Sequence, residues 1–425
     1  MTTLPQSHIR GYLRRDGRKG IRNHVAVAYM VECAHHVARE IVLNFRHQKW
    51  GGGVAGIGQV HLIGFPGCFP NAYAETMMEQ LLTHPNVGAV VLVSLGCESM
   101  NKHHLAQFVA DSGRPVHTVT IQETGGTRKS IGEATEWIVS TIKELERTKS
   151  VPMGIEELVI GTICGGSDGT SGITANPAVG RSFDLLIEQG ATCIFEETGE
   201  LVGCEYHMKN RAVTPELGEE LVRCVAKAAH YYTVLGHGSF AVGNASGGLT
   251  TMEEKSLGAY AKSGASPIRG IIKPGEVPSQ KGLGGGLYLL DVVPDGEPRF
   301  GFPNISDNAE IVELIACGCH LTLFTTGRGS VVGSALAPVI KVCANPETYD
   351  RMRDDMDINA GRILNGKATL DEVGREIYTS VIRVAEGARS LSEELGHQEF
   401  ILGYKQFEPS GPACFPSDQR IAKVA

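Results

Sequence analysis

Two hydrophobic patterns alternate along the chain. Short, nearly unbroken apolar runs are followed by stretches whose apolar positions recur at helical spacing. The runs HVAVAYMVEC (24–33), VHLIGFPGC (60–68), VGAVVLVSLGC (87–97) and PVHTVTIQ (115–122) read as buried strands. Helices follow them. AHHVAREIVLNFRHQKW puts Val37, Ile41 and Phe45 on one face, and PNAYAETMMEQLLTH has Pro70 and Asn71 at its start. NKHHLAQFVADSG is closed by Gly113, and TRKSIGEATEWIVSTIKELERT is long. Strands alternating with helices of this length predict a parallel sheet with crossover helices.

The grammar repeats after KSVPMGIEEL (149–158), which reads as a linker. LVIGTIC is a strand, CGGSDGTSGITANP (164–177) a loop and AVGRSFDLLIEQG a helix. ATCIFEET then reads as a strand and ELGEELVRCVAKAAHYYTVL as a helix. A Gly-rich stretch from Gly236 to about Gly301 encloses one short helix near TMEEKSLGAYAKSG. Helix AEIVELIACG, strand CHLTLFTT, loop GRGSVVGS and helical ALAPVIKVCAN come next, and TLDEVGREIYTSVIRVAEGARSLSEELG reads as one helix. Residues 11–23, GYLRRDGRKGIRN, read as a basic loop. The prediction is α/β, with two parallel-sheet α/β domains and long Gly-rich active-site loops. The N-terminal domain, 1–150, carries a cysteine edge; the C-terminal domain, 151–425, carries the substrate loops.

Composition narrows the class. A chain of 425 residues exceeds one ordinary core, and 42% hydrophobic with 20% charged residues describes a globular protein. The net charge of −8 argues against a nucleic-acid groove. No apolar run reaches the ~18 residues of a membrane helix, and MTTLPQSHIRGYLRRDGRKG lacks the apolar core of a signal peptide. A cytoplasmic protein with no membrane partner is expected. Its eleven cysteines are then expected to be reduced. The 53 glycines, well above the usual ~7%, sit in loops between periodic segments, where backbone approaches ligands closely.

Three cysteines fall at three strand ends. Cys33, Cys68 and Cys97 each precede a helix, on the edge of an open parallel sheet where ligands bind. Three thiolates suit a metal or an iron–sulfur cluster with a position left open for substrate. The alternative is three small buried hydrophobes. Glu98, beside Cys97, is a candidate acid–base group, although a carboxylate at a helix start is also favoured by the helix dipole.

The loop at 164–177 offers free backbone N–H groups to an anion, with Gly166, Ser167 and Asp168 as candidate substrate contacts. It lacks both the Walker and the dinucleotide spacing. TTGRGSVVGS (325–334) repeats the layout with Arg328, a fork suited to a carboxylate. His237 lies between two glycines and is the first choice for a general acid or base; Asn244 and Lys255 share its glycine-rich stretch.

Together GYLRRDGRKGIRN, VEC, PGC, LGCE, CGGSDGTSGITANPAVG, ETGELVGCE, GNASGGLTTMEEKSLGA and TTGRGSVVGS resemble the large catalytic region of the altronate/galactarate dehydratases, a family that includes the large subunit of sulfolactate sulfo-lyase. The likeness runs in order from about residue 11 to about 400. It implies a hydro-lyase that eliminates water from a sugar acid to give a 2-keto-3-deoxy acid, with iron as Fe²⁺ or a cluster, or with Mn²⁺. The alternatives are a C–S lyase releasing sulfite from sulfolactate and a non-catalytic subunit that binds sugar acids. Family members often carry a small domain before the GY.R.DGR motif, whereas here ten residues precede Gly11. A separate small subunit is therefore an expected partner, beside a homo-oligomer. The segment GFPGCFPN also differs from the histidine-bearing segment often found before the second cysteine.

Overall fold

A computed structural model describes residues 7–46, 59–235, 242–296 and 306–405. Its first α/β unit holds strands β3 (His24–Tyr29), β4 (Val60–Gly64), β5 (Val87–Ser94) and β6 (Val116–Thr120), preceded by β1 (Arg10–Leu13) and β2 (Lys19–Gly20). Helices α1 (Glu32–Leu43), α2 (Ala72–Leu82), α3 (Lys102–Asp111) and α4 (Thr127–Leu145) follow the four longer strands in turn. Those strands form a parallel sheet in the order β4-β3-β5-β6. All eight residues of β5 are buried, so its apolar run is a strand covered on both faces. The Asn71 side chain accepts from the Ala74 N–H at 3.0 Å and starts α2. Gly113, at φ 79°, takes the left-handed turn that ends α3.

The second unit is a seven-stranded parallel sheet. Its strands are β8 (Val159–Cys164), β9 (Thr192–Phe195), β10 (Ile268–Ile272), β11 (Gly286–Leu290), β12 (Leu321–Thr326), β13 (Val339–Cys343) and β14 (Ile358–Asn359), in the order β10-β11-β9-β8-β12-β13-β14. Helices α5 (Ala175–Glu188), α6 (Pro215–Leu235), α7 (Met252–Ala261), α8 (Asp307–Ala316) and α9 (Leu370–Ala385) accompany it. The sheets share apolar packing: Ile63, Met77 and Leu92 belong to the same buried cluster as Ile163, Ile311 and Phe324.

Five readings of the sequence change. The basic loop at 11–23 and the linker at 149–158 both contain strand: β1 pairs antiparallel with β2 and with β7 (Ser150–Pro152). The Gly-rich stretch contains β10 and β11, short runs that the surrounding glycines disguise. ALAPVIKVCAN is not helical, because its fully buried Val339, Ile340 and Val342 form β13, for which periodicity cannot separate a buried strand from a helix. The last long helix stops at Ala385, and Gly387 at φ 108° breaks it before a short helix, Leu391–Leu395.

Candidate active site

In the larger sheet, the chain runs from β8 outward to β9 on one side and places β12 on the other. Strand order thus reverses at the β8/β12 junction, where an open α/β sheet forms its ligand crevice. The loops after these two strands interlock there. The Gly166 carbonyl accepts from the Gly327 N–H at 3.1 Å and the Arg328 N–H at 2.8 Å. Gly327 has no room for a side chain, since a Cβ would lie 2.1 Å from Asp168 Oδ1.

A buried ionisable group sits at this junction. Cys164 ends β8, and its Sγ is 2.8 Å from Glu197 Oε1, 3.3 Å from Ser167 Oγ and 3.6 Å from Glu200 Oε2. The Cys164 N–H also donates to Glu197 Oε1 at 3.1 Å. Glu197 lies just past β9 and is the one non-glycine residue with positive φ, 74°, among the described residues. Glu200 follows in the 3₁₀ turn Thr198–Leu201. From α7, Lys255 Nζ reaches Glu200 Oε2 at 2.6 Å, Ser167 Oγ at 2.9 Å and Cys164 Sγ at 3.2 Å. Two turns further on, Lys262 pairs with Glu197 Oε2. Burial alone would lower the Lys255 pKa; Cys164 and Glu200 outweigh it and raise it.

More carboxyls surround the group. Asp307, at the start of α8, approaches Gly165, where a Cβ would lie 2.0 Å from its Oδ2. Burial and the nearby Glu200 push Asp307 up to about 6. Glu196 is buried with neither carboxylate oxygen hydrogen-bonded, and burial together with Glu310 raises it well above the ordinary range. Burial likewise pushes Glu310 up to about 8.

Three of the sequence candidates meet here: Ser167 and Lys255 contact Cys164, and Gly166 holds the opposite loop. Asp168 is beside them but committed to structure, bonding Thr170, Ser171 and Asn345. Arg328 is exposed and donates to the Gly243 carbonyl, next to Asn244, whose own carbonyl accepts from the Gly247 N–H at 3.0 Å. His237 lies outside the described residues. The sequence reading passed over Cys164, Glu197, Glu200 and Lys262. The sequence holds them in plain form, a cysteine ending LVIGTIC and two acids three residues apart after CIFE, but no local feature marks them as a site.

Cys33, Cys68 and Cys97 are exposed at the C-terminal edge of the smaller sheet. The loops around them adjoin: the Ser99 N–H donates to the Cys68 carbonyl, and the Glu32 N–H to the Pro66 carbonyl. Glu98 accepts from the Gly96 N–H at 2.8 Å. Among the described residues, the group of three Cys, His or acidic side chains whose ligand atoms all lie within 4.8 Å is Cys164, Glu197 and Glu200, and the strand-end cysteines do not form such a group. The two regions are linked. Tyr404 donates to the Phe69 carbonyl beside Cys68, while Lys405 pairs with Glu313 on α8, the helix that begins at Asp307.

Fold and site define an α/β protein with a buried acid–base cluster at its topological switch point. The family model described as D-galactarate/altronate dehydratase, C-terminal, matches residues 155–407, and that of the D-galactarate dehydratase/altronate hydrolase second domain matches 11–146. The chain belongs to the D-galactarate/altronate dehydratase family. It is 32% identical over 401 residues to the (2R)-sulfolactate sulfo-lyase subunit beta of Chromohalobacter salexigens, covering 92% of this chain and 96% of that one. It is 32% identical over 405 residues to an altronate dehydratase of Bacillus subtilis, with 92% and 77% coverage. Galactarate dehydratase (L-threo-forming) of Escherichia coli is 33% identical over 327 residues, with 74% and 59% coverage.

Proposed function

We propose that this protein is a lyase that eliminates water from a hydroxylated sugar acid of the altronate or galactarate type, leaving a 2-keto-3-deoxy acid. The observation that carries the reading is the Cys164–Lys255–Glu200 group at the switch point of a chain in this family. The elimination needs a base for the proton next to the carboxylate, a positive group for the charge that develops there, and help for the leaving hydroxyl. Glu200, 20% exposed, is the base, and the Lys255 ammonium stabilises the developing charge. The loops at 165–168 and 327–330, with Arg328, receive the substrate carboxylate.

Iron is the second part of the proposal. A single ion bonded to three thiolates at ~2.3 Å would draw their sulfurs to within ~4.6 Å of one another, and Cys33, Cys68 and Cys97 are not so arranged. A cluster, in which each thiolate takes its own iron, does not require that closeness. Bound there, iron would supply a Lewis acid for a hydroxyl group.

A second reading is a C–S lyase acting on sulfolactate together with a small partner subunit. The 96% coverage of the sulfo-lyase beta subunit favours it. Anaerobic purification with iron and sulfide analysis, followed by turnover of aldonates, aldarates and sulfolactate, tests both readings. The first expects 2-keto-3-deoxy acid and the second expects sulfite. Cys97→Ala should lose iron and activity together, and a variant with normal iron content removes Cys97 from the site.

A further inference from the structure

We infer that the Cys164–Glu197–Glu200 triangle is not a metal site in the native protein, because Lys255 is its resident cation. The donors have the chemistry of a divalent-ion site, a soft thiol and two carboxylates, with ligand atoms within 4.8 Å of one another. Each carboxylate, however, already has a buried ammonium partner, and one helix region supplies both. Lys255 pairs with Glu200 at 2.6 Å and also donates to the Cys164 sulfur; Lys262 pairs with Glu197. The lysine side chains are 4% and 1% exposed, so neither can turn into solvent to make way for an ion. An ion bonded to Glu200 Oε2 would lie within about 5 Å of the Lys255 ammonium, in a site with little water to screen the repulsion. The positive group of this site is therefore a lysine, and any metal the enzyme uses is held elsewhere.

This inference does not depend on the elimination reading, since its test measures metal binding. Cobalt(II) is titrated into the full chain while the thiolate-to-cobalt absorption band and the bound cobalt are recorded. Wild type and Cys164→Ser should bind the same amount of cobalt and give the same band. Lys255→Met keeps the length of the side chain but removes its charge; it should gain a further cobalt ion per chain, with a stronger band, and the Cys164→Ser/Lys255→Met double variant should lose that gain. A cobalt ion present in wild type and missing from Cys164→Ser overturns the inference. So does a folded Lys255→Met protein, verified by circular dichroism, that gains no cobalt. Should Lys255→Met fail to fold, Lys255→Gln replaces it, and the comparison of wild type with Cys164→Ser decides independently.

Discussion

At the residue scale, Glu197 concentrates the constraint. A left-handed backbone costs a non-glycine residue about 1–3 kcal/mol. Its carboxylate repays this by joining the Cys164 N–H, the Cys164 thiol and Lys262. Lys262→Met would leave that buried carboxylate without its cation, and removing one partner of a buried pair costs about 3–5 kcal/mol. Urea unfolding should show a lower midpoint at an unchanged slope; an unmoved midpoint would mean the pair is immaterial. Cys164→Ser keeps a hydrogen-bonding group but loses the thiol. Cys164 accepts from the Lys255 ammonium proposed to stabilise the developing charge, so the change should reduce kcat with little change in KM, as a kinetic comparison with wild type would show. Lys255 and Ser167 could be singled out because glycines flank their motifs. Glu197 and Glu200 were hidden, because nothing local separates an acid in a solvated turn from one folded back onto a cysteine 33 residues away.

At the scale of elements, the strands of the smaller sheet were legible because β3, β4 and β5 are mostly apolar and buried and their helices carry visible stops, such as Gly113. β13, β10 and β11 were not. Val339–Cys343 is a short buried run that fits either element, and the two others are embedded among glycines. Pairing with other strands of the sheet decides all three. The β1–β7 pairing is likewise a contact between segments about 140 residues apart, which no local pattern announces. Caps, by contrast, are local and testable. Asn71→Ala removes the acceptor for the Ala74 N–H and should cost about 1 kcal/mol in a denaturant titration. No loss of stability would show that another group caps α2.

At the scale of the whole molecule, buried histidines bond across the two units: His84 Nε2 is 3.1 Å from the Cys319 carbonyl and His320 Nε2 is 2.8 Å from the Lys19 carbonyl. His24 at the start of β3 and His61 in β4 meet edge to face at 4.4 Å, beside a small cavity lined by Glu393, His397 and Gln398. Burial pushes His61 down to about 4 and holds His24 well below its ordinary value. His84 and His320 are also depressed by burial, His320 to about 4. The unfolded chain therefore takes up protons first as the pH falls. Stability from these groups is complete above about 6.5 and is lost as the pH drops toward 4. Thermal melts from pH 7 to 4 should show a steep fall, flatter in His61→Asn; equal pH dependence in the two proteins would contradict this.

The proposed elimination of water from a sugar acid at the β8/β12 junction is likewise a property of the whole molecule. The direct measurement is 2-keto-3-deoxy acid formation from altronate and galactarate by wild type and Glu200→Gln in parallel. Wild type should turn over at least one of them, and a folded Glu200→Gln protein should lose roughly 100-fold or more of that activity. Turnover that survives in Glu200→Gln, or a wild type that forms no keto acid from either substrate while releasing sulfite from sulfolactate, would contradict it.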